Sequence, residues 1–392
     1  MRAPDLDLAG RALERAERVV AGAVRALRHA GGPDAHQALA YDIAHGASAL
    51  AVARAGLDYG SRGDVEASLA WAFCGLALSD LAARVLGREA QWDVDAAWWS
   101  DVADVVAAAR DPEFLAGLAE TPGPRHLGPD FDMVASTFHR FAEERVLPHA
   151  ERVHRHNEDI PEAVIDGLAQ LGGFGLSVPE AHGGFSTGGE TEYVGMVVAT
   201  EELSWASLGV GGSLITRPEI LTRALLAGGT DEQRARWLPA LADASVLAAI
   251  AVTEPDYGSD VAGIATSATR TAGGWLLRGV KTWCTFAARA NVLVVLARTD
   301  PDRALAHRGL SLFMVEKPPA AGAGFAFTQD ARAEGRADPD GKMEGRAIDT
   351  LGYRGMHSYE LAFENWAVPA ENLVGGEEGL GKGFYLQMQG FE

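Results

Sequence analysis

The chain has 392 residues, with 54 acidic and 34 basic side chains and a formal net charge of −20. Nucleic acids and anionic membranes are bound by basic surfaces, so this charge argues against both as partners. Two cysteines, Cys74 and Cys284, are too few for a disulfide framework. The N-terminus lacks the apolar segment of a signal peptide, and no run approaches the roughly 18 apolar residues of a membrane helix. We therefore expect a soluble, cytoplasmic protein.

Amphipathic helical patterns fill the first part of the chain. Apolar residues recur there every three or four positions, which is the spacing of one helix face. The first such face contains Leu13, Ala16, Val20, Val24 and Leu27. Similar patterns follow around residues 39–57, 65–86 and 98–105. We predict a helical N-terminal extension over residues 1–115, built as an antiparallel bundle, and then a Pro- and Gly-rich linker that reaches Pro129.

The periodicity changes from helical to strand-like in the second part of the chain. Helical patterns predict an all-α domain over residues 128–245. Short runs rich in β-branched and aromatic residues then predict an antiparallel, barrel-like β domain over residues 246–376. These runs are VLAAIAV, GWLLRGVKTWC, NVLVVLA, GLSLFMVE and YELAFENWAV. Residues 318–350 are rich in Gly, Ala and charge and are expected to form a long loop, while residues 377–392 begin another helix. Helices followed by strands predict an α+β fold.

Histidines cluster in one predicted helix without the other features of a metal site. His149, His154 and His156 lie in a charged stretch and have no carboxylates at ligand spacing. A solvated helix face explains them better than a metal site does, so no metal is predicted.

Two segments of the β region contain the residue types that hold a flat ring. The octapeptide TEPDYGSD, residues 253–260, offers small hydroxyls and turn residues after a strand. Trp283, Cys284 and Thr285 end another strand. A planar heteroaromatic cofactor needs amides and hydroxyls at its polar edge and an aromatic plate on a face. An edge loop beside a core tryptophan would contain the same residue types, so the residues alone leave both interpretations open.

The same segments resemble the signatures of the acyl-CoA dehydrogenase family. The family motifs are matched by AVTEPDYGSDVAG (Ala251–Gly263) and, at the usual distance, by GVKTWCT (Gly279–Thr285). Further matches, in order along the chain, are LGGFGLSVPEAHGG, GTDEQRARWLPAL and FENWAVPAENLVGG. The resemblance extends from about residue 128 to Glu392. It implies non-covalently bound FAD and oxidation of an acyl-CoA thioester between Cα and Cβ.

The resemblance also assigns roles to individual residues. It places the cofactor contacts at Ile250, Ala251, Val252, Thr253, Gly258, Ser259, Trp283, Cys284 and Thr285. By this resemblance the Thr253 hydroxyl and the preceding backbone bind the pyrimidine edge of the flavin, Trp283 covers a flavin face, and Thr285 bonds N5. Ser259 lies toward both the FAD and the thioester. Glu254 and Asp260 are expected to shape the loop rather than to perform chemistry.

Two residues depart from the family pattern. Tyr257 stands where the family usually has a very small residue, which changes the wall near the thioester or pantetheine. Cys284 replaces an aliphatic residue and is expected in the core. The substrate contacts are predicted at Ser259, Tyr257, Arg217 and Phe391.

Within the family, several stretches resemble the branch that oxidises 2-methylsuccinyl-CoA to mesaconyl-CoA in the ethylmalonyl-CoA pathway. That branch also has a helical N-terminal extension. A substrate with a free carboxylate needs a cationic partner, and Arg217 is the candidate, although an arginine on a helix surface fits the sequence equally well. Other short-chain acyl-CoA substrates, of isovaleryl, butyryl or glutaryl type, remain open. So do a flavin oxidase on the same scaffold and a non-catalytic flavin- or acyl-CoA-binding protein.

The family's catalytic base is a glutamate in a C-terminal four-helix bundle that this chain lacks. Both known locations of that glutamate align beyond Glu392, so no catalytic residue is predicted within the chain, which is expected to be inactive as it stands. The partners implied by the resemblance are acyl-CoA, an electron-transferring flavoprotein and further copies of the chain in a homodimer or homotetramer.

Overall fold

The computed structural model describes residues 4–390, except for the side chains of residues 190–192. The chain divides into two compact units, Met1–His126 and Leu127–Glu392. The predicted substrate residue Phe391 and the terminal Glu392 lie outside the described residues.

The first unit consists of helices. They are α1 (Leu6–His29), α2 (Gln37–Gly60), α3 (Asp64–Val85), α4 (Glu89–Trp92), α5 (Ala103–Ala109) and α6 (Pro112–Leu118), with a 3₁₀ turn at Ala96–Asp101. Leu13, Trp71, Leu78 and Trp98 are buried in its core, as the helical periodicity predicts. Cys74 is buried there as well, and burial raises the pKa of its thiol to about 11.

Helix α6 occupies part of the stretch that the sequence predicts as a linker, so that prediction was wrong there. Asp111 accepts a hydrogen bond from the Phe114 N–H and caps the helix. Pro112 takes the first helical position, where a missing N–H costs nothing. Beyond α6 the chain remains in contact with the helices of the first unit. The Tyr59 hydroxyl donates to the Pro124 carbonyl, and His126 contacts Glu66.

Helix α3 is long and apolar enough, by length and composition alone, to cross a membrane. This is weak support for a membrane span, because buried helices of soluble proteins meet the same criteria and Trp71, Leu78 and Leu81 of α3 pack in the core of the first unit.

The second unit combines helices with one sheet. Its helices are α7 (Pro129–Phe141), α8 (Leu147–His156), α9 (Glu162–Gln170), α10 (Glu190–Ala206), α11 (Thr216–Gly228), α12 (Asp231–Ala242) and α13 (Gly383–Gln389). Its strands are β1 (Ala248–Ala251), β2 (Ser267–Thr271), β3 (Gly274–Thr285), β4 (Val292–Arg298), β5 (Leu310–Glu316), β6 (Gly324–Gln329), β7 (Gly341–Ile348) and β8 (Ser358–Pro369). The α+β prediction is confirmed, and α13 forms where the sequence predicts the start of a helix.

The eight-stranded sheet has the order β1-β4-β2-β3-β8-β7-β6, with β5 paired to β4. Most neighbours are antiparallel, as predicted, but β4 runs parallel to β1, with Ala248 opposite Val292, and to β2, with Ser267 opposite Arg298. The chain makes the β2–β3 hairpin between β1 and β4, so β4 enters the sheet in the same direction as β1. The expectation of a purely antiparallel sheet was therefore wrong where β4 pairs with β1 and β2.

Strands β6 and β7 occupy the region that the sequence predicts as a long loop, so that prediction was also wrong. Phe325 and Phe327 alternate with small residues along β6, and Met343 of β7 pairs with Phe363 of β8. The Lys317 Nζ atom lies 4.9 Å from the centroid of the Phe325 ring. The alternation of apolar residues is short and is surrounded by Gly, Ala and charged residues. The sequence pattern therefore did not indicate strands here.

Strand β4 is buried along its whole length, because both faces of the sheet are covered. Val292, Val294 and Leu296 pack with residues of α11 and α12 on one face. Leu293 and Val295 pack on the other face against the interior of the β domain. A strand covered on both faces reads as a continuous apolar run, as NVLVVLA does.

Gln233 joins the start of α12 to the chain that leaves β8. Its side-chain amide donates to the carbonyls of Glu371 and Leu373 at 2.8 and 2.7 Å. Its side-chain oxygen accepts from the N–H groups of Thr230 and Gly375, both at 3.0 Å. The first of these completes a capping box with the Thr230 hydroxyl.

Replacing Gln233 by alanine should lower the free energy of unfolding by about 2–4 kcal/mol, because a cap is lost and buried carbonyls are left unpaired. Urea unfolding measures the change. The exposed neighbour Glu232 provides the control, since its replacement by alanine should change stability by less than about 0.5 kcal/mol. Equal effects of the two substitutions would contradict the joining role of Gln233.

Candidate functional site

The loop that leaves β1 and the end of β3 lie side by side. The backbone N–H of Thr282 donates to the Thr253 carbonyl at 2.8 Å. The structure therefore brings together the two segments that the sequence singles out, around Thr253 and around Trp283. This contact lies between residues far apart along the chain, so the tertiary fold creates it.

A buried ion pair fixes these two segments to each other. The Lys281 ammonium donates to the Glu254 carboxylate and to the Val252 carbonyl, both at 2.8 Å. The same carboxylate accepts from the backbone N–H groups of Ala265 and Thr266 at 2.7 and 2.9 Å. Lys281 and Glu254 are 0% and 5% exposed. Charges removed from water need such complete pairing, so this arrangement determines the course of the backbone around it.

Glu254 remains ionised at neutral pH. Burial raises the pKa of its carboxyl group, but the Lys281 ammonium and the hydrogen bonds from the Ala265 and Thr266 segment outweigh burial and hold the pKa below its ordinary value. Its oxygens are occupied by these donors. Glu254 therefore shapes the loop, as predicted.

The backbone of β3 changes course at Trp283. Trp283 has a φ of 58°, a left-handed conformation that is rare for a bulky residue, and the pairing of β3 with β8 shifts register between Lys281 and Cys284. The Trp283 side chain is consequently 56% exposed, whereas the side chains on either side of it are buried. Strained backbone of this kind is common at functional sites.

Cys284 faces the opposite way from Trp283. Its side chain is fully buried in the β-domain core, as expected, and burial raises the pKa of the thiol to about 12. The thiol is therefore neutral and unreactive. Any contact of this predicted cofactor residue with a ligand must come from its backbone.

Thr285 lies at the end of β3 beside a residue that the sequence interpretation missed. Its hydroxyl shares a hydrogen bond of 3.0 Å with the hydroxyl of Ser358, the first residue of β8. The next residue, Phe286, donates its N–H to the His357 carbonyl at 2.8 Å. Ser358 becomes a neighbour through the β3–β8 pairing, which no local pattern indicates.

The octapeptide loop turns tightly on itself. Glu254 and Tyr257 exchange backbone hydrogen bonds of 3.0 and 3.1 Å around Pro255 and Asp256. The Tyr257 ring packs against Gly263, where a Cβ atom would come within 2.6 Å of two ring carbons. Gly263 thus makes room for the residue that departs from the family pattern. Gly258 and Ser259 are exposed at the outer end of the loop.

A cleft of about 680 Å³ adjoins this loop on the side of Arg298 and Arg303. Arg298 donates to the carbonyls of Ala262 and Ile264, and Arg303 donates to those of Gly263 and Ile264. The remaining cationic and aromatic lining comes from Arg270, Arg308 and Trp275. These arginines come from separate stretches of sequence, so the sequence interpretation did not group them.

Arg217 lies at the start of α11 and is half-buried, so it is not a freely solvated helix-surface arginine. Its guanidinium donates to the Ser213 hydroxyl at 3.2 Å.

Several features fit a flat ring with polar edges. Within residues 4–390 the Thr253 hydroxyl has no hydrogen-bond partner, and the Trp283 side chain, which follows the Thr282 N–H that bonds the Thr253 carbonyl, is 56% exposed. The paired hydroxyls of Thr285 and Ser358 lie two residues further along β3. Thr253, Trp283 and Thr285 could therefore hold such a group without rearrangement of the ion pair behind them.

Replacing Lys281 by methionine should lower the free energy of unfolding by about 3–5 kcal/mol, because the Glu254 carboxylate is left buried and unpaired. Converting Glu254 to glutamine in the same protein should restore part of this loss. Lys342, which is exposed and 3.6 Å from Glu364, provides the matched control and should change stability little when replaced by methionine. A small effect at Lys281 in chemical denaturation would show that the pair does not hold the site.

Two domains of one protein family match consecutive parts of the second unit. Residues 128–245 match the acyl-CoA dehydrogenase N-terminal domain, and residues 249–366 match the acyl-CoA dehydrogenase middle domain. The first match covers helices α7 to α12, and the second covers the strands that form the site.

Individual relatives agree with these matches. (2S)-methylsuccinyl-CoA dehydrogenase of Cereibacter sphaeroides is 43% identical over 290 residues, 74% of this chain and 48% of that protein. Mitochondrial isovaleryl-CoA dehydrogenase of Solanum tuberosum is 35% identical over 256 residues, 64% of this chain and 55% of that protein. The chain thus spans about half the length of the curated relatives it matches.

A solved structure also matches. Acyl-CoA dehydrogenase from Bacillus anthracis, complexed with FAD, aligns with a TM-score of 0.53 and 29% identity over 68% of this chain and 40% of that one. The expected family resemblance is confirmed by the two domain matches and by these relatives. The chain belongs to the acyl-CoA dehydrogenase family and carries that family's N-terminal and middle domains.

Proposed function

We propose that the protein is an FAD-dependent dehydrogenase that oxidises a short branched acyl-CoA between Cα and Cβ, with 2-methylsuccinyl-CoA as the substrate and mesaconyl-CoA as the product. The observation that carries this proposal is the convergence of the Thr253 and Trp283 segments, which Lys281 and Glu254 hold together. Family membership supports the reaction class. The identity to the methylsuccinyl-CoA enzyme supports the substrate.

FAD suits the site because the residues present match what its isoalloxazine ring needs. The Thr253 hydroxyl and the backbone of residues 250–253 would hold the pyrimidine edge, and Trp283 would cover a face. Thr285, with Ser358 behind it, would place a hydroxyl at the reactive edge. When bound, FAD supplies the acceptor for the hydride that leaves Cβ.

The chain's own residues orient the reactants rather than remove the proton. Glu254 is engaged by Lys281 and by backbone N–H groups, so it is not the base. The proposed base is the family glutamate expected beyond Glu392. An α-proton of a thioester is a very weak acid, so preorganised donors must stabilise the enolate-like charge that develops at the thioester oxygen. The exposed Ser259 hydroxyl, at the outer end of the loop, is the residue proposed to contact the thioester region.

The arginine-lined cleft is proposed to receive the phosphates of CoA. Arg303 and Arg308 are exposed at its wall, and guanidinium groups bind phosphate oxygens well. The cleft connects through Arg298 to the turn at Val261–Gly263, directly after the octapeptide loop. An acyl-CoA could therefore extend from the flavin site into this cleft.

The proposed partners and location follow from the family and from composition. Electrons would pass to an electron-transferring flavoprotein, and the protein would act as a homodimer or homotetramer. A cytoplasmic location fits the buried free cysteines. A neutral short-chain acyl-CoA is the second candidate substrate, favoured by the identity to the isovaleryl-CoA enzyme.

Replacing Trp283 by alanine should weaken FAD binding about 10-fold, because a covering aromatic face is lost while the exposed position leaves the fold intact. Titration of the flavin-free protein with FAD, followed by fluorescence, measures the dissociation constant. Trp205 is the control, since it is 54% exposed and its replacement should leave the constant unchanged. Equal weakening by both substitutions would contradict the role of Trp283.

The proposed reaction predicts that acyl-CoA bleaches the flavin of the full-length, FAD-loaded protein under anaerobic conditions. The absorbance near the flavin maximum should fall most at low concentrations of 2-methylsuccinyl-CoA and less with isovaleryl-CoA or butyryl-CoA. If no acyl-CoA reduces the flavin, the dehydrogenase proposal is wrong. If isovaleryl-CoA is preferred, the second candidate replaces the first.

A further inference from the structure

His357, the residue before β8, has a strained backbone and a buried side chain. Its φ is 39°, a left-handed value that is uncommon outside glycine, and the residue is 7% exposed. The Nε2 atom lies 3.1 Å from Oδ1 of Asp159, in the connection between α8 and α9. A buried residue keeps such a conformation only where the surrounding contacts enforce it, and residues of this kind cluster at functional sites.

The Asp159 carboxylate is held on both of its oxygens. Oδ1 faces His357, and Oδ2 accepts from the Gly322 N–H at 2.7 Å. The Gly322 carbonyl in turn accepts from the hydroxyl of Tyr359, a buried residue of β8, at 2.5 Å. The hydrogen bond with His357 lowers the pKa of Asp159, as does the Gly322 N–H, and together they outweigh the opposing effect of burial. Asp159 is therefore an ionised, fixed acceptor for His357 at neutral pH.

The backbone before β8 is held from two sides. The Ile160 N–H donates to the Gly355 carbonyl at 3.0 Å, next to the contact of Asp159 with His357. From the other side the Phe286 N–H, at the end of β3, donates to the His357 carbonyl at 2.8 Å. Residues 355–357 thus fasten the α8–α9 connection to the end of β3. The pair of His357 and Asp159 is the side-chain part of this attachment.

Ser358 follows His357 directly and carries the hydroxyl behind Thr285. The two hydroxyl oxygens are 3.0 Å apart, and both residues are almost fully buried. A hydroxyl donates one hydrogen bond, so Thr285 can direct its proton to a ligand only when it accepts from Ser358 rather than donating to it. Ser358 must stay at hydrogen-bond distance for this, and its backbone is continuous with that of His357. A displaced His357 would therefore misdirect the Thr285 hydroxyl.

We propose that His357 and Asp159 are positioning residues for the flavin. Their pair anchors the start of β8 to the α8–α9 connection and thereby fixes the direction of the Thr285 hydroxyl. This inference rests on the proposed function and extends it to two residues outside the cofactor contacts. Both residues act through Ser358 rather than by touching the cofactor. A pair that only stabilised the fold would leave the binding and the spectrum of the flavin unchanged, so the two roles can be told apart.

The test measures FAD binding by the full-length, flavin-free protein. His357→Ala should raise the dissociation constant of FAD about 10-fold, because the hydroxyl that meets the flavin is no longer held in one direction. His357→Gln should stay within about 2-fold of the wild type, since its amide N–H can still donate to Asp159. His139→Ala is the matched control, because His139 pairs with Glu202 at 2.8 Å between α7 and α10 and its loss should leave the constant unchanged.

Double substitutions test whether the three residues act in one line. Ser358→Ala alone should weaken FAD binding about 10-fold. Adding His357→Ala or Asp159→Ala to Ser358→Ala should then change the dissociation constant by less than about 2-fold, because the pair has nothing left to position. Independent contributions would instead multiply to about 100-fold, and that result would overturn the inference.

Two further measurements separate positioning from general stability. FAD should raise the thermal unfolding midpoint of the wild type, and His357→Ala should lose part of that rise. His139→Ala should keep the rise even if its flavin-free midpoint falls. The visible absorption maxima of bound FAD should shift in His357→Ala and in Ser358→Ala, and not in His139→Ala.

The outcomes distinguish this inference from the proposed function. Wild-type FAD affinity and absorption maxima in His357→Ala would overturn the positioning role and leave the dehydrogenase intact. If His357→Ala does not fold, Ser358→Ala decides, and wild-type affinity in that variant would overturn the inference. A wild-type, full-length protein that binds no FAD would overturn the proposed function and this inference together.

Discussion

The Lys281–Glu254 pair is the constraint on which the site depends. Removing two charges from water is costly, and the cost is offset only when every donor and acceptor is paired in good geometry. Here that pairing draws in the Val252 carbonyl and the N–H groups of Ala265 and Thr266. Three chain segments that are distant in sequence are thereby held in one arrangement. The groups proposed to face the cofactor are therefore positioned by an ion pair that is almost completely buried.

The strand that provides Lys281 also changes direction within a few residues. Alternation along a regular strand would place Trp283 and Lys281 on the same face. The left-handed backbone at Trp283 and the register shift against β8 break that alternation. As a result the Trp283 indole is exposed, while the charge of Lys281 is buried. The Cys284 thiol and the Thr285 hydroxyl, which follow Trp283, are also buried. The pairing of β3 with β8 resumes on either side of this residue, at Lys281 and at Cys284.

The sequence predicted the parts of the site that are local and missed those that tertiary pairing creates. Helical periodicity and the two motif segments follow from spacing and residue type, which are visible in one stretch. Ser358 reaches Thr285 only through strand pairing, and Tyr353 lies near Arg217 of α11 although the two residues are distant in sequence. The parallel placement of β1 and the strands within residues 318–350 were missed for a similar reason. Their hydrogen-bond partners are distant, and their own residues are small or weakly patterned.

The two cysteines are distributed so that each unit contains one. Cys74 lies in the core of the first unit and Cys284 in that of the second, and both are shielded from solvent with raised pKa values. A thiol reagent can reach either sulfur only after the surrounding helices or strands separate. The rate of modification at each cysteine, measured by mass spectrometry of peptides, therefore reports how often the unit that contains it opens. No label or engineered probe has to be added to compare the two.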